Sequence, residues 1–223
     1  MTVLHLADEG EAADLVAFLS RLLHYDRSAA VRLQAAGTAL AVFGRPPSFE
    51  VLAIRTARLA KPYENGLDIT LDVTVSAGEL LEAVDESAAT AVVPGAVTGP
   101  PWAGVLPPRR GWRPEPGLPA PDALRAMVGA AVAEFRARTE ELGTERRTRA
   151  ELDRIGRDIW SRAVGDTPLP VRAVHAAQSL GFLRAEGELA LFSSGAWLRL
   201  RTPYGSIAVR RAGLGVLDLS VNR

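Results

Sequence analysis

Apolar and polar residues follow two different periods in the N-terminal part of the chain. From Asp8 to His24, apolar side chains recur every three or four positions, which predicts an amphipathic helix preceded by a short strand, TVLHL. Asp8 and Glu11 have the spacing of a capping box at the start of this helix. The segment LDITLDVTV, residues 67 to 75, alternates strictly instead, which predicts a strand with one buried and one solvated face.

Three further segments complete the predicted N-terminal sheet. AAVRLQA and TALAVF flank Ala36 and Gly37, which we interpret as a tight turn between two strands. FEVLAIRTARL also has strand character, and Ser76 with Glu79 then caps a short helix. We therefore expect residues 1–92 to form an α+β domain with a mostly antiparallel sheet and packed helices.

Two segments of this region share one order of elements. VLHLADEGEAADLVAFL and LDVTVSAGELLEAV both run from a strand through a capping residue and an acidic residue into an apolar helix. A unit of this order that begins a second time resembles the topology of sliding-clamp subunits. Capped strand-to-helix turns are common in unrelated proteins, so we base no prediction of function on the resemblance.

Residues 93–121 differ in composition from the segments on either side, because they contain nine of the fifteen prolines. Proline neither donates to a β-ladder nor continues a helix, which is typical of a linker. Trp102 and Trp112 also lie here, and tryptophan rings are usually buried. We therefore predict an extended crossover that packs on both halves of the chain.

Residues 122–223 begin with helical patterns and end in short strands. Asp122 is positioned to cap the first helix. Thr148 and Glu151 have the spacing of a capping box at the start of the second helix. Gly181 is the expected end of a third helix, VRAVHAAQSLGFL. ELALF, WLRLR and SIAVRR then predict a small antiparallel sheet after the three-helix segment.

The composition is that of a folded protein. Of the 223 residues, 48% are hydrophobic and 23% charged, which suits one large domain or two small ones with a buried core. The absence of cysteine excludes disulfides and thiolate chemistry. The acidic start lacks the features of a signal peptide, and no apolar run approaches the roughly 20 residues that span a bilayer. We expect a cytoplasmic protein that does not contact membranes.

Charge is distributed unevenly. Of 26 basic residues only Lys61 is a lysine, which is typical of a G+C-rich genome such as an actinobacterial one and makes arginine alone weak evidence for phosphate binding. Residues 1–100 contain 13 acidic and 7 basic side chains, and residues 101–223 contain 13 and 19. This asymmetry favours attraction between the halves, within a chain or across a dimer, over a nucleic-acid surface. Four of the acidic residues belong to the solvated side of the predicted short helix: Glu79, Glu82, Asp85 and Glu86.

Catalytic and cofactor motifs do not stand out. His5, His24 and His175 lack metal-ligand spacing, and the G-x-S-x-G and G-x-x-x-x-G-K-[ST] motifs are missing. Asp68 and Asp72 lie about 13 Å apart on one strand, too far to act on a single atom. We predict no metal and no cofactor, and favour a non-enzymatic role over an enzyme without a recognisable motif.

The segment AWLRLRTPYGSIAVRR, residues 196 to 211, predicts a β-hairpin whose turn is TPYG. Regular pairing places four apolar side chains on one face: Leu198, Leu200, Ile207 and Val209. The other face contains the candidate interaction residues Trp197, Arg199, Arg201 and Arg210. Arginines beside an aromatic ring suit an acidic protein surface.

The order of three helices and a basic hairpin is also that of a winged-helix DNA-binding domain. In this alternative the third helix presents four side chains to a groove: Arg172, His175, Gln178 and Ser179. The third helix is rich in alanine and contains a single arginine, and the second is long for a compact helix-turn-helix, so the pattern disfavours this alternative.

Three hypotheses follow, in order. The first is a non-catalytic protein-interaction or self-assembly module, with a second copy or another protein as partner. The second is a winged-helix-like DNA-binding protein. The third is a small-molecule-binding protein or enzyme with a cleft where the crossover, residues 93–121, meets the two halves.

Overall fold

A computed structural model describes residues 2–47, 49–63, 71–184 and 187–211. They form an α+β fold in which the helices pack on one face of an antiparallel seven-stranded sheet. The predicted fold class is confirmed. None of the helices in the described ranges is long and apolar enough to cross a membrane.

In the described ranges, ten strands form two sheets. The larger sheet has the order β4-β2-β3-β10-β9-β8-β7, and the smaller has the order β1-β6-β5. The strands are β1 (Val3–His5), β2 (Ala30–Gly44), β3 (Leu52–Tyr63), β4 (Leu71–Ser76), β5 (Val84–Asp85), β6 (Thr90–Val92), β7 (Arg113–Glu115), β8 (Ala190–Ser194), β9 (Trp197–Thr202) and β10 (Gly205–Arg210).

The described part of the chain also contains six α-helices, and a short 3-10 helix, Pro101–Gly104, interrupts the crossover. The α-helices are α1 (Glu9–Tyr25), α2 (Ala77–Glu82), α3 (Pro121–Glu141), α4 (Gly143–Arg146), α5 (Arg149–Trp160) and α6 (Val171–Ser179).

The predicted helix caps are confirmed with one exception, and one helix is shorter than predicted. α2 ends at Glu82, so Asp85 belongs to β5 and not to the helix on which the sequence placed it. The side chains of Asp8, Ser76 and Thr148 each accept a hydrogen bond from the backbone amide three residues later. Asp122 does not cap α3, because Pro121 already occupies the first helical position and leaves Asp122 inside the first turn. Gly181, with φ 73°, follows α6 as predicted.

β2 is a single long strand where the sequence predicted two strands and a turn. Its first half pairs with β4, and its second half pairs with β3. Between them the register shifts at Gly37, whose φ of 56° is accessible to glycine. The turn predicted at Ala36 and Gly37 is therefore wrong, because the bulge bends the strand without reversing it.

The larger sheet contains strands from both ends of the chain. Ser206, Ile207 and Ala208 of β10 pair with Ile54, Ala53 and Leu52 of β3 in antiparallel register. The C-terminal strands thus extend the N-terminal sheet, a connection that the sequence did not reveal. The domain limits proposed at residues 92 and 121 stay a prediction.

The main core lies between the helices and one face of the larger sheet, which we call the inner face. Phe18 of α1 stacks on Phe182 behind α6, with ring centroids 5.8 Å apart. Leu33 and Leu198 of the sheet are fully buried in the same cluster. The opposite surface of the sheet, which faces away from the helices, is called the outer face.

Arg55 is a buried cation on the inner face, with its side chain only 7% exposed. Its guanidinium donates hydrogen bonds to the carboxylates of Glu11 at 2.8 Å and Asp14 at 3.2 Å, both on α1. It also donates to the carbonyl of Tyr204 at 3.1 Å, in the turn between β9 and β10. One side chain therefore ties the first helix and the C-terminal hairpin to β3.

We expect Arg55→Leu to lower the free energy of unfolding by about 3 kcal/mol, because it removes the buried guanidinium that Glu11, Asp14 and the carbonyl of Tyr204 share. Urea denaturation followed by circular dichroism measures this loss. Arg58→Leu is the matched control, since Arg58 also pairs with Glu11 but is 69% exposed. Equal losses for the two variants would show that Arg55 does not hold the elements together.

Candidate functional site on the outer face of the sheet

The C-terminal hairpin has the register that its sequence predicts. Trp197 pairs with Arg210, Arg199 with Ala208, and Arg201 with Ser206. Leu198, Leu200, Ile207 and Val209 lie on the inner face and are buried in the main core. We call Trp197, Arg199, Arg201 and Arg210 on the outer face the arginine face.

The crossover covers part of the outer face. Beneath it lies a second apolar cluster of Phe43, Leu52, Ile54 and Ala208, against which Trp102 and Leu106 of the crossover pack. Farther along, β7 adds the crossover to the edge of the sheet by pairing with β8. The crossover is therefore docked on strands from both halves of the chain.

Each arginine of the arginine face lies against an aromatic ring. The guanidinium carbon of Arg199 is 5.9 Å from the ring centroid of Trp112, that of Arg201 is 5.1 Å from Phe192, and that of Arg210 is 5.7 Å from Trp197. Such contacts are attractive and fix the plane of the guanidinium. Arg201 and Arg210 are exposed, and Arg199 is half-buried.

The charges of the arginine face are not compensated by carboxylates in the described parts of the chain. Its three arginines form no ion pair there, and the buried Nε of Arg199 finds no hydrogen-bond partner. Burial, with a contribution from the positive charge of Arg201, lowers the pKa of Arg199 below the ordinary arginine value. A negatively charged group placed on this face would relieve both effects.

A pocket of about 510 Å³ adjoins the arginine face, and we call it the tryptophan–arginine pocket. The crossover contributes Pro101, Trp102 and Val105, and the N-terminal half contributes Arg45 and residues 50–52. Five lining residues come from the C-terminal half: Arg172, Trp197, Ala208, Arg210 and Arg211. The pocket is therefore formed where the crossover meets both halves, where the third hypothesis expects a cleft.

The four candidate residues of α6 do not share one exposed surface. Arg172 lines the tryptophan–arginine pocket, with its Nε 4.0 Å from a carboxylate oxygen of Glu50. His175 is stacked on Trp160 at 4.6 Å between ring centroids. Gln178 is exposed and Ser179 is half-buried.

The hairpin of β9 and β10 is central in the larger sheet, with β3 on one side and β8 on the other. In a winged helix the hairpin is a projecting element beside the recognition helix. Here α6 packs its apolar side on the inner face, whereas the arginines lie on the outer face. The arginine face and the buried side of α6 are therefore on different sides of the sheet, and of the four candidate residues of α6 only Arg172 lines a pocket with Arg210.

Sequence reasoning missed several pocket residues. Arg45 precedes two prolines and Arg211 ends the hairpin, and neither position has a pattern that indicates a site. Trp102 was expected to be buried in the crossover, but nothing in the sequence connected it with Trp197. In the described ranges no group of three or more histidine, aspartate or glutamate side chains is arranged to hold a metal ion.

Family models match both parts of the chain. Residues 1–104 match a model described as Domain of unknown function (DUF8010), and residues 107–214 match one described as Domain of unknown function (DUF8185). Each match covers slightly less than half of the chain, and the two meet inside the crossover. A search of curated proteins gives no significant match.

Solved structures with a significant match include a DNA polymerase sliding clamp from Pseudomonas aeruginosa with ligand. The sequence identity is 12% and the TM-score is 0.46. The match covers 89% of this chain and spans 62% of the length of the clamp chain. A likeness at this TM-score establishes neither a shared fold nor a shared function.

His175 predicts a pH dependence of stability. Burial against Trp160 and Phe49 lowers the pKa of His175 below its ordinary value near 6.5. The unfolded chain therefore binds a proton more readily, and stability should fall as pH decreases from about 6.5 towards 5. Thermal unfolding midpoints between pH 7.5 and 5 measure this fall, and His175→Phe should flatten it. An unchanged profile in the variant would show that another group causes the dependence.

Proposed function

We propose that the chain is a non-catalytic interaction module whose arginine face binds an acidic protein surface, with a second copy of the chain as its first partner. The observation that supports this is the set of three arginines, each held against an aromatic ring and none paired with a carboxylate in the described ranges. Guanidinium groups fixed in this way keep N–H donors free for carboxylates of a partner.

The same chain also has an acidic surface, whose negative charge is complementary to the positive charge of the arginine face. Glu79 and Glu82 of α2, with Asp85 and Glu86 behind it, are exposed and form no ion pair in the described ranges. Asp85 accepts hydrogen bonds from the amide of Ala88 and the hydroxyl of Ser87, which lowers its pKa and favours its charged form. We call these four carboxylates the acidic patch.

The acidic patch and the arginine face lie on opposite sides of the larger sheet. Leu80 of α2 is buried in the main core on the inner face, whereas the arginines are on the outer face. The two surfaces therefore do not meet within one chain, but they are available to two copies. A contact between unlike surfaces is head-to-tail and gives rings or open chains of subunits, according to whether the rotation closes.

Charge reversal on each surface tests this arrangement. We expect the light-scattering mass of the wild type to exceed the monomer mass of 23.8 kDa and to rise with concentration. Arg201→Glu/Arg210→Glu should be monomeric, and Glu82→Arg/Glu86→Arg should be monomeric as well, because each places like charges opposite each other. An equimolar mixture of the two variants should assemble again, since every contact between them joins opposite charges.

The control is Arg136→Glu/Arg157→Glu, which makes the same change of charge at exposed arginines of α3 and α5. It should keep the wild-type mass. A wild type of 23.8 kDa at every concentration would contradict self-association. Random duplex DNA is added in parallel, and salt-sensitive binding that only Arg201→Glu/Arg210→Glu abolishes would assign the face to nucleic acid instead.

A further inference from the structure

The tryptophan–arginine pocket combines an apolar interior with several cations. Trp102 and Trp197 are half-buried in its lining, and both pack against the second apolar cluster. Leu52 and Ala208, paired on neighbouring strands, are buried in that cluster and contribute to the same lining. Tryptophan faces beside an apolar surface suit a planar ring, which gains from stacking and from burial together.

The cations outnumber the acids that line the pocket. Arg45, Arg172, Arg210 and Arg211 lie in the lining with a single carboxylate, that of Glu50. Arg211 is paired outside the pocket with Glu115 at 3.0 Å. The remaining positive charge exceeds what one carboxylate neutralises, which favours a ligand with more than one negative charge.

Two arginines of the pocket lining have hydrogen-bond donors without acceptors. The Nε atoms of Arg172 and Arg211 are buried and have no hydrogen-bond partner among the described residues. A buried donor without a partner costs free energy, and a ligand that accepts hydrogen bonds from these two donors would offset this cost. Arg172 is also the second residue of α6, where the positive end of the helix dipole adds to the attraction of an anion.

Glu50 has an unusual backbone conformation at the edge of this pocket. Its φ is 53°, in the left-handed region that residues other than glycine seldom adopt. Such backbone strain is concentrated at ligand-binding sites, where the surrounding structure maintains it. In this conformation a carboxylate oxygen of Glu50 lies 4.0 Å from Nε of Arg172, which is too far for a hydrogen bond.

We propose that the tryptophan–arginine pocket binds a nucleoside phosphate, with the base on the tryptophan side and the phosphates on the arginines. The volume of about 510 Å³ lies within the range of pockets for small organic ligands. A neighbouring groove of about 710 Å³ shares Arg45, Glu50 and Trp102 with the pocket. This function goes beyond the proposed self-association, and the pocket shares Trp197 and Arg210 with the arginine face.

Titration of the full chain with ADP, adenosine and inorganic phosphate tests the proposal, with tryptophan fluorescence and calorimetry as readouts. We expect ADP to bind at least about tenfold more tightly than adenosine or phosphate, because only ADP offers both the ring and the charges. Arg45→Gln/Arg172→Gln should weaken ADP binding by about tenfold or more, and Trp102→Leu should weaken it as well. Thermal unfolding verifies that each variant is folded.

Arg201→Glu is the matched control, because Arg201 belongs to the arginine face but does not line the pocket. It should leave ADP affinity unchanged, whereas Arg45→Gln/Arg172→Gln should leave the light-scattering mass unchanged. The two proposals therefore fail separately. Phosphate binding as tightly as ADP, or ADP affinity that survives both pocket variants, would overturn the nucleoside phosphate site.

Discussion

The antiparallel contact between β3 and β10 determines how the two halves of this chain are arranged. It joins residues 52–54 to residues 206–208. Strands β7 to β10 are connected to β2, β3 and β4 only through this pairing in the described sheet. Arg55 reinforces the contact by linking α1, β3 and the hairpin turn through one buried guanidinium. The pocket and the crossover both depend on this pairing. It brings together Leu52 and Ala208, which lie on its two strands and belong to the apolar cluster on which the crossover packs.

The two faces of the sheet are covered differently, and the difference explains the position of the candidate surfaces. On the inner face, helices from both halves bury a continuous apolar core. On the outer face, the crossover covers the second apolar cluster and places Trp112 against Arg199, but it leaves Arg201 and Arg210 exposed. Aromatic side chains take the place of carboxylates beside these arginines, so the face keeps its positive charge while its apolar stems remain packed.

Local patterns predicted local structure, and distant contacts were hidden from them. Capping boxes and the alternation of the hairpin gave the right helix starts and the right strand register, since both depend on residues within a few positions of one another. Gly37 was assigned to a turn because a glycine bulge and a turn look alike in one sequence. The pocket could not be predicted from the sequence, because Arg45, Trp102 and Arg211 come together only through the β3–β10 pairing.

The position of β10 also affects how the chain is made. β3 is synthesised about 150 residues before its partner, which at roughly 5 to 20 residues per second is a delay of about 8 to 30 s on the ribosome. Throughout that time one edge of β3 has unpaired backbone groups, which are a template for pairing with other chains. Until β10 is made, the nascent N-terminal half can therefore pair with other chains through this edge, and a chaperone bound during that interval would protect it.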